Sequence, residues 1–437
     1  MPDCTETTIE FPAVKRRRVE ASFSGGEVSS DGGVLLLREV DRRLGLLAAV
    51  DRVIADRRDR RRIDHAQFTL LRQRVYGLCL GYEDLNDHDG LRIDPALQTA
   101  VSRAEALASS ATLCRLENRM EREAAVAIHG VFVEQFIASR RRAPKELVLD
   151  FDATDDPLHG HQEGRFFHGY YDRYCFLPLY VFCGEQLLVS YLRRSNIDGA
   201  KHAWAILSLL VRRLRQAWPQ VRIIVRGDSG FCRPRMLRWC ERHGVGYIVG
   251  LARNPRLERI IEPLWEAVTG LADHHGGRYR HFCPFLYRAD SWDRARRVIA
   301  KVEVTAKGAN PRFVLTNLEG TDADLYEKLY CARGEMENRI KEQQLGLFAD
   351  RTSAHGWWVN QFRLLLSSLA YVLLEALRRL ALTNTELARA QVATIRLKLL
   401  KIGAVIVRNT RRVRFLLSSA YPYPDLFRLV AMRLKPG

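Results

Sequence analysis

The run YCARGEMENRIKEQQ holds four chemically active side chains at helical spacing. Tyr330, Arg333, Glu337 and Lys341 stand at offsets of 0, 3, 7 and 11 residues, so an α-helix would place them within an arc of about 80°. A phenol, a guanidinium, a carboxylate and an ammonium on one face suit a metal-bound carboxylate flanked by phosphate-holding groups. The alternative is a solvated helix face with i,i+4 ion pairs, such as one between Glu337 and Lys341.

Two apolar segments upstream end in aspartates that could join this carboxylate. ELVLDFDATDDP places Asp150 and Asp152 at the end of a strand, and VRIIVRGDSGF places Asp228 at the end of another. Catalytic carboxylates of α/β proteins commonly lie at the carboxyl ends of strands, where loops open to substrate. We favour Asp152, which ends its strand. Asp150, two residues earlier, faces the same side of the strand and should be more enclosed. It is the alternative candidate for the catalytic aspartate.

Helical phase selects the glutamate. We call the helix face shared by Tyr330, Arg333, Glu337 and Lys341 the stripe. Glu337 lies near its centre, whereas Glu335 falls about 140° from Tyr330. Asp152, Asp228 and Glu337 are hard oxygen ligands without a neighbouring cysteine, a set that suits Mg²⁺ or Mn²⁺ and not zinc. Two such ions about 3.5–4 Å apart can activate a water or a 3′-hydroxyl and stabilise the leaving oxygen of a phosphodiester. The three carboxylates therefore predict metal-dependent phosphodiester chemistry.

Hydrophobic periodicity divides the chain into five segments that must position these residues. Residues 1–145 are predicted to form an N-terminal region for DNA binding or dimerisation. It begins with a flexible basic arm at 1–20 and is mostly helical after that arm. Residues 146–252 alternate as β-β-β-α-β-α-β, which indicates a mixed α/β sheet. Residues 253–324 hold a helix and three strands and are predicted to form a β-rich insertion subdomain. Residues 325–382 carry the stripe helix and a long apolar helix, and 383–437 are predicted to be a basic, helical tail.

Net charge is the unusual feature of the composition. The 437 residues carry a formal charge of +18, which favours a polyanionic partner, foremost nucleic acid, over a merely basic soluble protein. The nine cysteines form no CxxC pair, which argues against a zinc ribbon and for reduced thiols. The longest apolar stretch, around Leu364 to Leu374, is too short to span a bilayer. We expect a cytoplasmic protein without a membrane segment.

Two other kinds of site were weighed and set aside. GDSG also occurs around the nucleophile of chymotrypsin-like proteases, but here it ends a strand in an α/β pattern and no suitable histidine motif precedes it. His159, His161 and His168 could indicate zinc, but they are more simply placed in a hairpin loop near the first carboxylate, in contact with DNA or water.

The motifs resemble those of a known family. Asp152-Ala-Thr, Gly227-Asp228-Ser and Tyr330-x2-Arg333-x3-Glu337 resemble the signature of DDE transposases of bacterial insertion sequences. DATDDPLHGHQEGRFFHGYYDRYCFLPLY and YCARGEMENRIKEQQLGLFADRTSA resemble the IS-thirteen-eighty family most specifically. SSDGGVLLLREVDRRLGL and YGLCLGYEDLNDHD extend the resemblance over nearly the whole chain. That family is in turn distantly similar to the piggyBac transposases.

The resemblance implies a fold and an activity. The fold would be an RNase H-like catalytic core, with an insertion before the helix of the last carboxylate. Asp152, Asp228 and Glu337 would be the catalytic and metal-binding residues, holding two Mg²⁺ ions for which Mn²⁺ may substitute. The activity would be cut-and-paste movement of the element's own DNA, and the piggyBac similarity suggests hairpin-ended excision and an AT-rich tetranucleotide target.

The residues around the glutamate are predicted to bind DNA. Arg333 would hold a phosphate bidentately, Tyr330 would contact the terminal nucleotides, and Lys341 would act as a point charge on the backbone. The wider family pattern places its lysine seven residues after the glutamate, where this chain has Gln344. Lys341 stands one turn after the glutamate instead, and Asn338 lies at the edge of the stripe.

The expected partner is double-stranded DNA, both the element's ends and the target. A homodimer is expected in the complex that holds two ends, in a bacterial cytoplasm and in association with the nucleoid. Two alternatives stay open. One is a domesticated or inactive relative that binds DNA without cutting it, and the other is a nuclease of the same fold. The presence of all three carboxylates favours an active transposase.

Overall fold

The computed structural model describes residues 8–275, 279–305 and 308–435, which form two compact units. The first takes in the chain up to Met120, together with Gly346–Phe348 and the residues from Leu369 onward. The second takes in Glu121–Leu345 and Ala349–Ser368. Within the described ranges, no helix is both long enough and apolar enough to cross a membrane.

Helices dominate the N-terminal part of the first unit, as the 3.6-residue pattern predicts. The buried carboxylate of Asp41 organises three of them, because it accepts hydrogen bonds from the backbone N–H of Leu47, from Arg72 and from Tyr76. Gly45, at a φ of 61°, ends the first helix and begins the second. The helices are α1 (Val34–Leu44), α2 (Leu46–Val53), α3 (Gln67–Leu80), α4 (Asp87–Leu91), α5 (Pro95–Ala100) and α6 (Ser110–Asn118).

Both ends of the chain contain strands where none was predicted. From Ile9 onward the expected flexible arm forms a hairpin of β1 (Ile9–Val14) and β2 (Arg17–Ala21), while residues 1–7 lie outside the described residues. The tail, predicted to be helical, contains the hairpin β16 (Ala404–Arg408) and β17 (Val413–Leu417), which is extended by β3 (Val28–Ser29). The reason is a period of two: Ala404 and Ile406 are buried while Val405 and Val407 face solvent, and β-branched residues favour strands. Short helices flank this hairpin, namely α13 (Val392–Ile395) and α14 (Pro424–Leu434).

A mixed nine-stranded sheet forms the centre of the second unit. Its order is β12-β13-β15-β11-β10-β4-β8-β9, with β14 on β13. Strand β10 runs parallel to β4 and to β11, and the other pairs are antiparallel. The strands are β4 (Glu146–Ala153), β8 (Leu179–Cys183), β9 (Gln186–Tyr191), β10 (Arg222–Gly227), β11 (Gly246–Leu251), β12 (Tyr279–Tyr287), β13 (Arg296–Thr305), β14 (Gly308–Ala309) and β15 (Arg312–Thr316).

Helices complete the second unit and bury the sheet on both faces. Alternate residues of β10 show this, because Ile223 and Val225 belong to one apolar cluster and Ile224 to another. Strands buried on both sides are expected to be continuously apolar, as VRIIV is. The helices are α7 (Arg122–Ala138), α8 (Ala203–Ala217), α9 (Pro234–Arg242), α10 (Pro255–His275), α11 (Gly334–Leu347) and α12 (Trp357–Leu377), the last of which continues into the first unit.

The strands within 253–324 do not form a sheet of their own. They lie where the sequence predicted them, but β15 pairs with β11 and β13 pairs with β15, so they extend the central sheet. The predicted β-rich insertion is therefore joined to the central sheet through β11 and does not have a separate sheet. The connection arises because Phe313, Val314 and Leu315 are buried and continue the apolar surface of β11 on both faces.

A small sheet stands beside the end of β4. It consists of β5 (Asp156–Pro157), β6 (Phe166–His168) and β7 (Arg173–Phe176), in the order β5-β7-β6. Asp156 is buried and accepts a hydrogen bond from Thr352 at 2.8 Å. The segment that follows Asp152 is therefore fixed within the second unit.

Candidate active site

The parallel pairing of β4 and β10 brings two aspartates to one edge of the sheet. Asp150 is paired with Arg226, and Phe151 with Gly227, so Asp152 and Asp228 are the next residues on two neighbouring strands. Asp228 then caps a short turn, because its side chain accepts a hydrogen bond from the N–H of Gly230 at 2.8 Å. The strand topology thus juxtaposes the two predicted aspartates.

Glu337 reaches this edge from the first turn of α11 through an arginine. The guanidinium of Arg333 lies 2.7 Å from Oε1 of Glu337 and 3.7 Å from Oδ2 of Asp152. Opposite charges at these distances attract strongly where water is partly excluded, and the side chain of Asp152 is only 13% exposed. Arg333 therefore links the two carboxylates that come from distant parts of the chain.

Asp150 has a different partner. Its carboxylate receives two hydrogen bonds from Arg226, one of them at 2.8 Å from Nη2 to Oδ2, and both side chains are buried. Arg226 also donates to the backbone carbonyl of Leu329. A bidentate ion pair of this kind is a structural contact, so the arrangement favours Asp152 as the aspartate that is available to a ligand.

The electrostatic environment of Asp152 is that of a crowded anionic site. Its pKa is raised to about 7, mainly by burial and next by the negative charge of Asp228, while Arg333 opposes the shift. Burial and like charges both disfavour an ionised carboxylate. Such a pair of carboxylates would be stabilised by a cation, and perturbed carboxyl groups of this kind are typical of functional sites.

The donor set fits a hard divalent cation in its chemistry, but the three carboxylates do not converge on one point. In the part of the chain that the structure describes, no group of three His, Cys, Asp or Glu side chains is arranged to hold a metal ion. The reason at this site is Arg333, which occupies the space between Asp152 and Glu337. Asp152 and Asp228 are the oxygen donors whose mutual repulsion a cation would relieve.

The stripe helix is less regular than its spacing predicts. Asp324–Tyr330 forms a wider π-type turn, Cys331–Arg333 a tighter 3₁₀ turn, and the α-helix begins at Gly334. The assumed 100° per residue therefore does not hold between Tyr330 and Arg333. Both side chains nevertheless face the same cavity as Glu337, since residues three apart are aligned across a 3₁₀ turn.

This cavity has a volume of about 640 Å³ and is lined mainly by polar and charged side chains. On one side it is bounded by Asp228, Tyr330, Arg333 and Glu337, and on another by Lys301 and Arg312. Lys301 and Arg312 face each other across the β13–β15 pair. The cavity thus combines carboxylates with cations, as a site for a phosphodiester requires.

Sequence analysis did not single out Lys301, Arg312 or Gly250. The first two become visible only from the register of β13 and β15, which cannot be read from separate strands. Gly250 lies on β11 where a Cβ atom would stand 2.8 Å from both the backbone nitrogen of Ser229 and the hydroxyl of Tyr330. Nothing in the run GYIVGLA marks this glycine as different from Gly246.

The remaining predicted DNA-binding residues lie outside the lining of the cavity. Lys341 and Asn338 are exposed on α11. Gln344, which stands where the family pattern has lysine, donates a hydrogen bond at 3.0 Å to the backbone carbonyl of Asp155. This bond connects α11 to the loop that follows Asp152. Gln344 therefore makes a structural contact at the position where the family pattern has a positively charged lysine.

Comparison with known proteins identifies the family. The family model described as "Transposase DDE domain group 1" matches residues 11–436, whereas no curated protein matches the chain. Among solved structures, the piggyBac transposase synaptic complex with hairpin DNA matches with 11% identity and a TM-score of 0.39, over 78% of this chain and 73% of the other. That similarity is too distant to support a shared mechanism, and the narrower IS-thirteen-eighty assignment stays a prediction. The match over nearly the whole chain shows that this protein belongs to the DDE transposase family, group 1.

Proposed function

We propose that this chain is an active transposase that cuts DNA at the ends of its own insertion sequence and joins them to a target. Asp152, Asp228 and Glu337 would be its catalytic carboxylates. The observation that carries the proposal is their juxtaposition. Two aspartates end neighbouring parallel strands, and Arg333 holds the glutamate toward the same edge of the sheet.

The strands β9-β8-β4-β10-β11 would be the RNase H-like core that the family resemblance implies. They are consecutive neighbours in the sheet; Asp152 lies on the central strand, β4, and Asp228 directly follows β10 beside it. The strands β15, β13 and β12 would be the insertion before the helix of Glu337. They contribute Lys301 and Arg312 to the cavity wall, so in the proposed complex the insertion would lie beside the scissile bond.

Asp152 and Asp228 would hold a divalent cation, Mg²⁺ or Mn²⁺, with Glu337 as a further ligand. The bound ions would activate the attacking oxygen and stabilise the leaving one. The chain's own residues would orient the DNA: Arg333 by two hydrogen bonds to a phosphate, and Tyr330 by contact with a nucleotide across the cavity. Release of Arg333 to a phosphate would also free Asp152 and Glu337 from their present partner.

DNA ends and target DNA are the proposed partners. Lys301 and Arg312 would bind phosphates on the cavity wall, while Lys341 and Asn338, exposed on α11, would bind the backbone outside it. Since two ends must be held together, we propose a homodimer in the DNA complex. Its setting would be a bacterial cytoplasm, in association with the nucleoid.

Cleavage of a duplex that carries the element's terminal repeats, in Mg²⁺, tests this proposal. Asp152→Asn, Asp228→Asn and Glu337→Gln should each abolish cleavage and leave binding of the same duplex within about threefold, because each keeps the size of the side chain. Glu335→Gln is the matched control, since Glu335 is exposed on the same turn and should remain active. Retained cleavage in any of the three variants would overturn that residue's assignment.

A second candidate is a relative that binds DNA without cutting it. The observation that favours it is the position of Arg333, which separates Asp152 from Glu337 where a shared metal would need both. The wild-type protein discriminates the two, because an inactive relative would bind the ends and leave them intact in Mg²⁺ and in Mn²⁺. A nuclease of the same fold would cut them but form no joined product.

A further inference from the structure

The hairpin β6–β7 exposes an unusual number of aromatic rings. Phe166, Phe167, Tyr170 and Tyr174 are 36%, 52%, 85% and 43% exposed, all within nine residues. We refer to residues 166–176 as the aromatic hairpin. Clustered exposed apolar side chains commonly mark a binding site. Because these side chains are aromatic rings, a ligand with flat ring systems could stack on them.

Phe167 and Tyr174 share one face of the aromatic hairpin, and Arg165, just before the hairpin, lies over the same face. Phe167 pairs with Tyr174 in the strand register, and their rings meet edge to face at 5.6 Å. The guanidinium of Arg165 lies 4.0 Å from the centre of the Tyr174 ring. At the turn, the ring of Tyr171 lies 4.9 Å from that of His168 and 5.0 Å from that of Tyr170. Aromatic rings interleaved with cations are typical of surfaces that bind single-stranded nucleic acid.

The base of the hairpin is held firmly, so the exposed rings have a fixed direction. Ser195 donates to the carbonyl of Phe166 at 2.8 Å, and the ring of Phe176 packs against Trp357 at 5.2 Å. Glu163, just before the hairpin, accepts a hydrogen bond from the N–H of Trp357. Binding to a preformed surface costs less conformational entropy than binding to a mobile loop.

The aromatic hairpin also stands next to the candidate active site. Asp156, four residues after Asp152, pairs with Phe176 on β7. Arg173 lies 3.9 Å from Asp155. The pKa of Tyr171 is raised to about 12 by burial together with the negative charges of Asp155 and Asp152. The aromatic hairpin therefore adjoins the segment that follows the first carboxylate.

We propose that the aromatic hairpin is a stacking surface for unpaired bases of the DNA strand that enters the active site. Phe167, Tyr170 and Tyr174 stack on the bases, and Arg165 and Arg173 supply positive charge for the phosphates. This inference rests on the proposed function, because it takes DNA as the substrate. A strand with unpaired bases fits better than a paired duplex, whose bases are stacked on each other and offer no open faces to the rings.

Binding measured in EDTA, where metal-dependent cleavage cannot occur, tests the inference with the full-length chain. Two fluorescent probes are compared: a blunt duplex, and the same duplex with a short single-stranded thymidine tail. The wild type should prefer the tailed probe. The Phe167→Ala/Tyr170→Ala variant should lose about 5- to 150-fold in affinity for that probe per stacked base, and bind the blunt duplex as before. Tyr170→Phe keeps the ring and should keep the preference.

Phe23→Ala is the matched control, because Phe23 is 99% exposed and lies outside the hairpin. Equal affinity of the wild type for both probes, or an equal loss for both in the double variant, would overturn the inference. So would a change in self-association in the double variant, which would assign the face to contact between copies. Failure of the proposed function shows separately, as absence of wild-type cleavage in Mg²⁺, and leaves the comparison of probes intact.

Discussion

At the scale of single residues, two aspartates of one strand have different partners. Asp150 and Asp152 share a parity on β4, yet Asp150 is bonded to Arg226 while Asp152 faces Asp228 and Arg333. The sequence gives a reason to prefer Asp152, its position at the strand end, but it does not reveal Arg226 as a partner. That partner lies on the neighbouring strand and depends on the register.

Asp150→Asn and Asp152→Asn should therefore separate stability from activity. Breaking a buried ion pair leaves a charge without its partner, so Asp150→Asn should lower the free energy of unfolding by about 3 kcal/mol. Asp152→Asn should lose cleavage but be no less stable than the wild type in EDTA, because it removes a carboxylate that burial and Asp228 both disfavour. Urea unfolding and cleavage assays on the same preparations check this. Equal destabilisation by both variants would contradict the assignment.

Arg333 and Arg339 provide a second contrast at this scale. Arg333 bonds to carboxylates of the candidate site, whereas Arg339 pairs with Glu185 and Glu342, away from the cavity. Hydrogen bonds to charged groups contribute about 1.5–3 kcal/mol, so Arg333→Ala should reduce the rate of end cleavage by about 10- to 100-fold. Arg339→Ala should reduce it by less than about threefold. A larger effect at Arg339 would contradict the helix face that we assign.

At the scale of elements, the site depends on how closely β11, the turn after β10 and the stripe helix approach one another. Gly250 lies at that approach, where a Cβ atom would stand 2.8 Å from the nitrogen of Ser229 and 3.2 Å from the carbonyl carbon of Asp228. Both are backbone atoms, so the strand or the turn would have to move. The position of Asp228 is therefore coupled to the absence of a side chain on the next strand.

Gly250→Ala should reduce cleavage about 100-fold or more while the protein still folds and binds DNA, because a shift near 1 Å at a catalytic group has costs of this order. Gly130→Ala is the control. A Cβ atom at Gly130 meets nothing within 4 Å, and alanine is favoured over glycine in a helix such as α7. Cleavage at the wild-type rate in Gly250→Ala would show that the close approach does not set the position of Asp228.

Element type could be predicted well where the periodicity was strong. The alternation predicted for residues 146–252, β-β-β-α-β-α-β, corresponds to the observed β4, β8, β9, α8, β10, α9 and β11. The hairpin of β16 and β17 was missed because its arginines resemble a solvated helix face. The wide turn before Tyr330 was missed because helical phase assumes a uniform helix. Contacts such as those of Gly250 depend on three-dimensional packing, which no local pattern encodes.

At the scale of the whole molecule, positive charge is the property that bears most directly on binding. The chain carries 69 Lys and Arg residues against 51 Asp and Glu, but many of the arginines are engaged in ion pairs, as Arg213 is with Glu134 and Arg233 with Asp198. The tip of the β1–β2 hairpin differs, because Lys15 and Arg16 in the turn and Arg17 and Arg18 at the start of β2 are consecutive and all exposed. An isolated two-stranded hairpin is only marginally stable in water, so a polyanion that binds its tip would also stabilise it.

The salt dependence of DNA binding should therefore depend on this tip. Changing Lys15, Arg16, Arg17 and Arg18 to glutamine should reduce the slope of log K against log[salt] by about 3–4, since each phosphate contact contributes about 0.9. The matched control changes Arg213, Arg233, Lys328 and Arg428 to glutamine, four cations that are ion-paired with neighbouring carboxylates. It removes the same formal charge from the total of +18, so it alters the long-range field equally but should leave most of the slope. Titrations of one duplex at several salt concentrations measure both slopes. An equal fall in the two variants would show that net charge alone governs binding, and that the tip makes no phosphate contacts of its own.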